Sequence, residues 1–275
     1  MKYTKQIKHL EDSESDCGRV HVLELNGQIL SDNKTGQIYL KGPVVRLEFP
    51  MVIVRHGETD ANWRKVLHGL ANGVENQLNE RGKEQANQLA INLFAELERM
   101  FGPRLSELAR SGNLIVLTSP LKRARDTAQF FIDYIIEKTG LLLELEALED
   151  LREISFGKID GLALDEIEDK ELRRLVVRYR TTQDATIDWQ GTGESFMETL
   201  IRAKRLLQAL NQRYRGKDVV VVTFTHGTFG SSLRAVTGDK SLVNGAHMIA
   251  FRDNILECGV PHWLSRQGVD SEVKQ

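Results

Sequence analysis

From Met51 onward, apolar runs of strand length alternate with long segments whose apolar residues recur every three or four positions. Parallel strands need crossover connections, usually helices, so this alternation is typical of repeated β-α-β units. The pattern predicts an α/β domain with a mostly parallel central sheet. Its predicted core strands are Val52–Val54, Leu114–Leu117, Leu142–Leu145, Val219–Phe224 and Met248–Phe251.

Two of the intervening helices carry clear end signals. Asn79 is a good cap for a helix with an apolar face from Ala86 to Phe101, and Gly102-Pro103 ends it. Ser195-x-x-Glu198 is a capping box that opens a second helix. The apolar positions of that helix are Phe196, Leu200, Ala203, Leu207, Leu210 and Tyr214.

The sequence pattern divides the chain into three predicted parts. Residues 1–48 are predicted to be an N-terminal extension, partly disordered and then β-rich, with a hairpin turn at Asn26-Gly27. Residues 49–264 form the α/β domain, and residues 265–275 a mobile tail.

Composition excludes several functions. With 37 basic and 39 acidic residues the net charge is −2, so no global field attracts nucleic acid or an anionic membrane. The apolar runs are too short to span a bilayer, and the first residues contain no apolar signal region. Cys17 and Cys258 stand apart from metal-ligand spacing. We therefore expect a cytoplasmic protein with reduced cysteines and no membrane partner.

Two predicted strands end in the same dipeptide. Arg55-His56-Gly57 follows the first strand, and His226-Gly227 follows the strand that begins at Val219. A third strand runs into Ser119-Pro120-Leu121-Lys122-Arg123, where proline favours the first turn of a helix. Ligands bind at the carboxyl ends of strands in open α/β sheets. These two histidines and two arginines are therefore predicted to share one site.

Clustered cations of this kind favour an anion. Guanidinium groups match phosphate oxygens in a bidentate manner, so phosphate is the predicted ligand. Neighbouring cations disfavour protonation of an imidazole, and a neutral imidazole can attack a bound phosphoryl group. The residues thus predict chemistry through a covalent phosphohistidine.

Six motifs, in this order, resemble those of the histidine phosphatases, also called the phosphoglycerate-mutase-like superfamily. They are Val54-Arg55-His56-Gly57-Glu58-Thr59 with Asn62, Leu78-Asn79-Glu80-Arg81-Gly82, Thr118-Ser119-Pro120-Leu121-Lys122-Arg123-Ala124, Leu151-Arg152-Glu153-Ile154-Ser155-Phe156-Gly157 with Gly161, Gly193-Glu194-Ser195, and Thr225-His226-Gly227. The resemblance covers roughly residues 50–255. It implies a three-layer α/β/α sandwich and a phosphohistidine mechanism that uses no metal or other cofactor.

The resemblance also implies roles for individual residues. His56 corresponds to the nucleophile and Glu153 to the proton donor. Arg55, Arg123 and His226 correspond to the pocket that neutralises the phosphoryl oxygens, and Asn62 to a further phosphate ligand. We count Gly227, beside His226, among the substrate-binding residues.

Each assignment has a simpler alternative. Glu153 follows two other acidic residues and could be one more solvated carboxylate. Arg125 is a rival to Arg123 as the second arginine that binds the phosphoryl group. The basic stretch from Leu172 to Arg180 could hold an anionic substrate, although an amphipathic helix with arginines in solvent is the preferred interpretation. The remaining histidines, His9, His21, His68, His247 and His262, are interpreted as core or surface residues.

One position departs from the family pattern. The family commonly has an arginine where this chain has Ser231, and the matching Ser-Leu-Arg-Ala sequence comes at residues 232–235. We therefore expect the Thr228-Phe229-Gly230 stretch to reshape the pocket wall.

The predicted function is a phosphomonoester phosphatase acting on a small phosphorylated metabolite, with a sugar phosphate or bisphosphate as candidates. A mutase of phosphoglycerate type is the alternative, although family mutases carry a longer insertion after the acid. A non-catalytic phospho-ligand sensor is a further alternative, although a pure binder needs neither the nucleophile nor the acid that this chain has. A metal-dependent hydrolase is disfavoured, because no His-x-His spacing occurs near either His-Gly step. No oligomeric state is predicted.

Overall fold

The computed structural model describes residues 29–31, 38–40, 45–182, 184–238, 243–244, 248–249 and 255–266. The α-helices in these residues are α1 (Asp60–Trp63), α2 (Glu80–Phe101), α3 (Pro103–Arg110), α4 (Lys122–Thr139), α5 (Lys170–Thr181), α6 (Phe196–Tyr214) and α7 (Gly227–Thr237). The strands are β1 (Ile29–Ser31), β2 (Ile38–Leu40), β3 (Met51–Arg55), β4 (Leu114–Thr118), β5 (Leu145–Ala147), β6 (Val220–Thr225), β7 (Val243–Asn244), β8 (Met248–Ile249) and β9 (Pro261–Ser265).

The central sheet has five strands in the order β5-β4-β6-β3-β9. The first four are parallel, and β9 adds to β3 in the antiparallel direction. The prediction of an α/β fold with a mostly parallel sheet is confirmed. Because β4, β6 and β3 are neighbours, their carboxyl ends lie side by side.

Helices cover both faces of this sheet. Successive β3 side chains point to opposite faces, so Met51 and Ile53 pack in one core and Val52 and Val54 in the other. The first core is completed by α6 and α7, and the second by α2, α3 and α4. This is the expected arrangement of helix, sheet and helix in three layers.

Both helix-end predictions are confirmed. The Asn79 side chain accepts a hydrogen bond from the backbone N–H of Gly82, and α2 ends at Gly102. At the start of α6, Ser195 and Glu198 form a reciprocal capping box. The apolar face predicted for this helix is buried.

Two predicted strands differ from the structure. In the run Leu142–Leu145 only Leu145 is in a strand, and the Leu142 side chain is 82% exposed. Met248 and Ile249 pair with β2 and β7 in a small antiparallel sheet of order β1-β2-β8-β7, so their assignment to the core sheet was wrong. A short apolar run does not reveal which sheet it joins, because its partners are distant in sequence.

The N-terminal part contributes two strands to the small sheet and also buried side chains to the main hydrophobic core. Strands β1 and β2 pair in the antiparallel direction, and the turn predicted at Asn26-Gly27 lies outside the described residues. Val45 and Leu47 are buried in the core beside α6 and α7. At the other end, Ser265 pairs with Met51. The division at residues 48 and 264 stays a prediction. No helix in the described part of the chain is long and apolar enough to cross a membrane.

Candidate active site

The two His-Gly steps lie at one edge of the sheet, as predicted. Arg55 and Thr225 are register partners at the ends of β3 and β6, and the next backbone N–H, that of His56, donates to the Thr225 carbonyl at 3.1 Å. On the other side of β6, the backbone N–H of Ser119 donates to the Phe224 carbonyl. Parallel pairing therefore brings together three segments that are distant in the chain.

The His56 ring is held by both of its nitrogens. Nδ1 lies 2.7 Å from the backbone oxygen of Gly57, and Nε2 lies 3.2 Å from the Nε of Arg123. A carbonyl can only accept and a guanidinium can only donate. These partners favour the tautomer with hydrogen on Nδ1, which leaves the lone pair on Nε2.

The surroundings keep this imidazole neutral. Burial lowers the pKa of His56 well below its ordinary value, and the positive charges of Arg123 and Arg55 lower it further. Protonation would place a third positive charge beside Arg55 and Arg123, on a ring that is 2% exposed. Nε2 of His56 is thus a lone-pair donor at neutral pH.

Arg123 is fully buried in the first turn of α4. Its Nη1 and Nη2 donate to the carbonyls of Ala71 and Gly69, each at 2.9 Å, so a loop fixes the plane of the guanidinium. Burial lowers its pKa to about 10, which leaves it charged at neutral pH. Arg125, the rival for this position, is exposed on the same helix.

Arg55 lies at the end of β3 with its Nη1 donating to the Leu256 carbonyl at 2.8 Å. Gly227 allows the close approach of this guanidinium. A Cβ at position 227 would lie 2.6 Å from Cγ2 of Ile255 and 3.2 Å from Cζ of Arg55. Arg55 can therefore occupy this position only because residue 227 has no side chain.

His226 is fully buried and precedes α7 as its N-cap residue. Its ring centroid is 5.2 Å from that of His56. Nε2 lies 2.7 Å from the Ser119 hydroxyl, and Nδ1 has no hydrogen-bond partner among the described residues. Burial, and then the charge of Arg123, lower the pKa of His226.

Glu153 is buried, and its carboxylate rests on the N-terminus of α7. Oε1 accepts the backbone N–H groups of Ile154 and Phe229, and Oε2 accepts that of Thr228. Unpaired N–H groups and the helix dipole make a helix N-terminus favourable for a carboxylate. This environment disagrees with the alternative of a solvated surface carboxylate.

The Thr228-Phe229-Gly230 stretch forms the first turn of α7. Of its three residues Thr228 lines the cavity, and the backbone N–H groups of Thr228 and Phe229 hold Glu153. That the stretch reshapes the pocket wall stays a prediction.

These side chains surround a cavity of about 130 Å³, whose described walls include Arg55, His56, Asn62, Arg123, Glu153 and Gly227. Apolar and aromatic groups form much of the remainder: Val66, Leu67, Phe156, Tyr179 and Ile255. His226 lies behind this wall rather than in it. The Oδ1 atom of Asn62 accepts hydrogen bonds from the N–H and the hydroxyl of Thr59. The amide nitrogen of Asn62 is therefore the group of this side chain that remains to bind a ligand.

His68 is buried and also lines the cavity, a position that its interpretation as a core or surface residue did not foresee. Its ring centroid is 6.2 Å from that of His56, and Nε2 is 3.4 Å from the Thr59 hydroxyl. Burial and the two arginines lower the pKa of His68 to about 3. The sequence signal was present, since His68-Gly69 is a third His-Gly step.

The basic stretch from Leu172 to Arg180 lies in α5, an amphipathic helix whose arginines are exposed, in agreement with the preferred interpretation. Leu172, Val176 and Tyr179 are the buried face of α5. The arginines of this helix bind protein groups: Arg174 pairs with Glu171, Arg178 pairs with Asp184, and Arg173 and Arg180 donate to the carbonyls of Glu168 and Lys65. His262 lies in β9, and the other three histidines interpreted in the same way fall outside the described residues.

A clustered metal site is not found in the part of the chain that the structure describes, where no three His, Cys, Asp or Glu residues could together hold an ion.

The α/β/α fold with two histidines and two arginines at one sheet edge defines a phosphoryl-handling class of protein. The family model for the histidine phosphatase superfamily, branch 1, matches residues 51–248, and the chain belongs to that family.

Several curated relatives are named as phosphatases. A metal-independent phosphoserine phosphatase of Arabidopsis thaliana is 33% identical over 68% of this chain and 66% of its own length. A phosphoglycerate mutase-like protein 4 from the same plant is 32% identical over 64% of this chain and 66% of its own length. A mannitol-1-phosphatase of Eimeria tenella is 31% identical over 58% of this chain and 47% of its own length. The chain thus spans about two thirds or less of these relatives.

Solved structures have the same fold. A mycobacterial glucosyl-3-phosphoglycerate phosphatase, complexed with VO3, has a TM-score of 0.53 and 25% identity, covering 78% of this chain and 90% of its own. A phosphoserine phosphatase of Entamoeba histolytica, in complex with 3-phosphoglyceric acid, has a TM-score of 0.53 and 21% identity, covering 78% and 89%.

Proposed function

We propose that this chain is a metal-independent phosphomonoester phosphatase that acts on a small phosphorylated metabolite through a phosphohistidine at His56. The observation that carries the proposal is the pair of hydrogen bonds on the His56 ring. The Gly57 carbonyl takes the Nδ1 hydrogen, and Arg123 directs an N–H at Nε2. A neutral imidazole held in this way keeps its lone pair on Nε2, where it accepts the Arg123 N–H, and a bound phosphoryl group must displace this hydrogen bond before Nε2 attacks.

In the first step, Nε2 of His56 attacks the phosphorus atom and the bond from phosphorus to the ester oxygen breaks. Arg55, Arg123 and the Asn62 amide surround the phosphoryl oxygens from the cavity wall, beside Gly227, and offset their charge. The Nδ1–H of the buried His226, whose ring centroid is 5.2 Å from that of His56, supports them from behind this wall. Glu153, on the cavity wall, enters this step as the neutral acid that the second step regenerates, and it donates its proton to the departing oxygen. The alcohol leaves as a neutral molecule.

In the second step, the Glu153 carboxylate takes a proton from water while the water oxygen attacks the phosphorus atom. The bond between phosphorus and Nε2 breaks, its electron pair returns to the imidazole, and inorganic phosphate leaves. Since the two guanidinium groups supply the positive charge, neither step uses a metal ion.

The substrate that we propose is the phosphate ester of an aliphatic hydroxyl. Relatives are named for phosphoserine and mannitol 1-phosphate, which share this chemistry. The apolar and aromatic wall residues suit the carbon skeleton of such an ester. Sugar phosphates and bisphosphates belong to the same class.

A mutase reaction is the second candidate, favoured by the similarity to the phosphoglycerate mutase-like protein. A mutase transfers the phosphoryl group from His56 back to an alcohol, whereas a phosphatase transfers it to water. Product analysis with 3-phosphoglycerate separates the two, because only hydrolysis releases inorganic phosphate stoichiometrically with substrate loss.

The test is to trap the intermediate. Purified protein is mixed with ³²P-labelled phosphoserine, quenched in alkali, which preserves phosphohistidine, and digested for mapping. We expect label on the peptide that contains His56, and none in His56→Ala. The control is His262→Gln, in strand β9, which should be labelled like the wild type. Label on another residue, or labelling that survives in His56→Ala, would refute the covalent scheme.

A further inference from the structure

The Gly193-Glu194-Ser195 motif has no role in the scheme above. It is nevertheless linked to the segment of Glu153 by the side chain of Arg202. Arg202 lies in α6 and is 8% exposed. Its Nε and Nη2 form a bidentate pair with Glu194, at 2.8 and 2.7 Å. Bidentate pairing fixes the plane of a guanidinium as well as its position.

The rest of the Arg202 guanidinium holds the segment that carries Glu153. Nη1 donates to the carbonyls of Asp150 and Arg152 at 2.7 and 2.9 Å, and Nη2 donates to the Glu153 carbonyl at 3.4 Å. A guanidinium has five N–H donors, and these three bonds with the two to Glu194 use all of them. No donor of Arg202 remains for a substrate.

The same guanidinium contacts the turn that binds the Glu153 carboxylate. Cζ of Arg202 lies 4.0 Å from the centroid of the Phe229 ring, and the backbone N–H of Phe229 donates to Oε1 of Glu153. Cation–π stacking of this kind is attractive and stronger when shielded from water. Arg202 therefore holds both the backbone of Glu153 and one donor to its carboxylate.

We infer that Arg202, oriented by Glu194, is a positioning residue for Glu153, and this inference rests on the proposed function. Arg202 acts on proton transfer at the ester oxygen without touching the phosphoryl group. Removal of Arg202 should therefore lower kcat/KM most for the esters whose leaving oxygen most needs a proton. The phosphate pocket should stay intact.

The test compares two esters in Arg202→Lys, which keeps the charge and loses the fork. Phosphoserine has a poor leaving group, whereas p-nitrophenolate leaves with little protonation. We expect kcat/KM for phosphoserine to fall by about 10- to 100-fold and that for p-nitrophenyl phosphate to stay within about threefold. In a Glu153→Gln background, Arg202→Lys should add less than about threefold, because the group that it positions is gone.

The matched control is Arg213→Lys. Arg213 lies on the same helix and forms an equally bidentate pair with Glu146, at 2.6 and 2.7 Å, which holds strand β5 instead of the acid segment. Its ratio of the two kcat/KM values should equal that of the wild type. If Arg202→Lys does not fold, Glu194→Gln provides the same comparison, since it removes the orienting partner and keeps the arginine.

The outcomes separate this inference from the proposed function. An equal loss for both esters, or no loss for either, overturns the positioning role. A wild-type protein that forms phosphohistidine and hydrolyses both esters, with an unchanged ratio in the Arg202 and Glu194 variants, contradicts this inference alone. A wild-type protein that hydrolyses neither ester contradicts the proposed function, and this inference with it.

Discussion

The ends of β3 and β6 carry the same His-Gly dipeptide in the same register, yet the two histidines differ in how they are held. His56 lines the cavity, binds the Gly57 carbonyl through Nδ1 and faces Arg123 with Nε2. His226 is fully buried, binds Ser119 through Nε2 and has no described partner at Nδ1. The scaffold therefore binds both ring nitrogens of His56 and, among the described residues, only Nε2 of His226.

This difference assigns opposite chemistry to the same side chain. The Ser119 oxygen accepts the N–H of Leu121 at 3.3 Å, and we propose that it donates its own hydrogen to His226 Nε2. That bond leaves the His226 hydrogen on Nδ1. His56 thus presents a lone pair and His226 an N–H group, although burial lowers the pKa of both.

The largest expected effect comes from removing each ring in turn. His56→Ala removes the nucleophile and should lower kcat by at least ~10⁴-fold. His226→Ala removes one donor to the phosphoryl group and should lower kcat by ~10²- to 10³-fold. Steady-state rates with p-nitrophenyl phosphate, together with quantified phosphoenzyme, measure the contrast.

The phosphoenzyme assay is the sharper part of that comparison. His226→Ala should still become phosphorylated, only more slowly, whereas His56→Ala should not. Equal losses in the two variants, both without phosphoenzyme, would mean that the rings do not have the separate roles described above.

A smaller effect should follow from Ser119→Ala. The substitution removes the hydrogen bond that favours the Nδ1–H tautomer of His226, and a buried hydrogen bond contributes about 1 kcal/mol. We expect kcat/KM to fall about fivefold, since 1.4 kcal/mol corresponds to a factor of ten. The control is Ser111→Ala, whose hydroxyl bonds only backbone carbonyls at the end of α3. Unchanged kcat/KM in Ser119→Ala would contradict the tautomer assignment.

Much of this architecture could be predicted from the sequence because its signals are local. The apolar run at Val219 forms an almost uniformly buried strand, and Asn79 and Ser195 cap the predicted helices. The meeting of His56 with His226 could also be predicted, because parallel strands end at the same edge. The preference for Arg123 over Arg125 came from the family motif, and burial separates the two.

Other features depend on partners that are distant in sequence. The pairing of Met248 with β2, and of β9 with β3, is decided by tertiary contacts that short apolar runs do not encode. The five hydrogen bonds of Arg202 likewise join three separate segments. His68 was missed for a different reason, because its His-Gly step follows a loop instead of a predicted strand.

His68 extends the comparison to a third His-Gly step and predicts the smallest effect. Its pKa is about 3 in the folded protein and near 6.5 when unfolded, so below pH 6.5 the unfolded state binds a proton that the folded state does not. Stability should therefore fall as the pH falls through 6.5, and this contribution is absent in His68→Gln. Between pH 7 and 5.5 the wild type should lose about 1 kcal/mol more unfolding free energy than the variant. Urea denaturation at both pH values measures the difference. Parallel losses in the two proteins would mean that His68 titrates in the folded state much as it does in the unfolded chain.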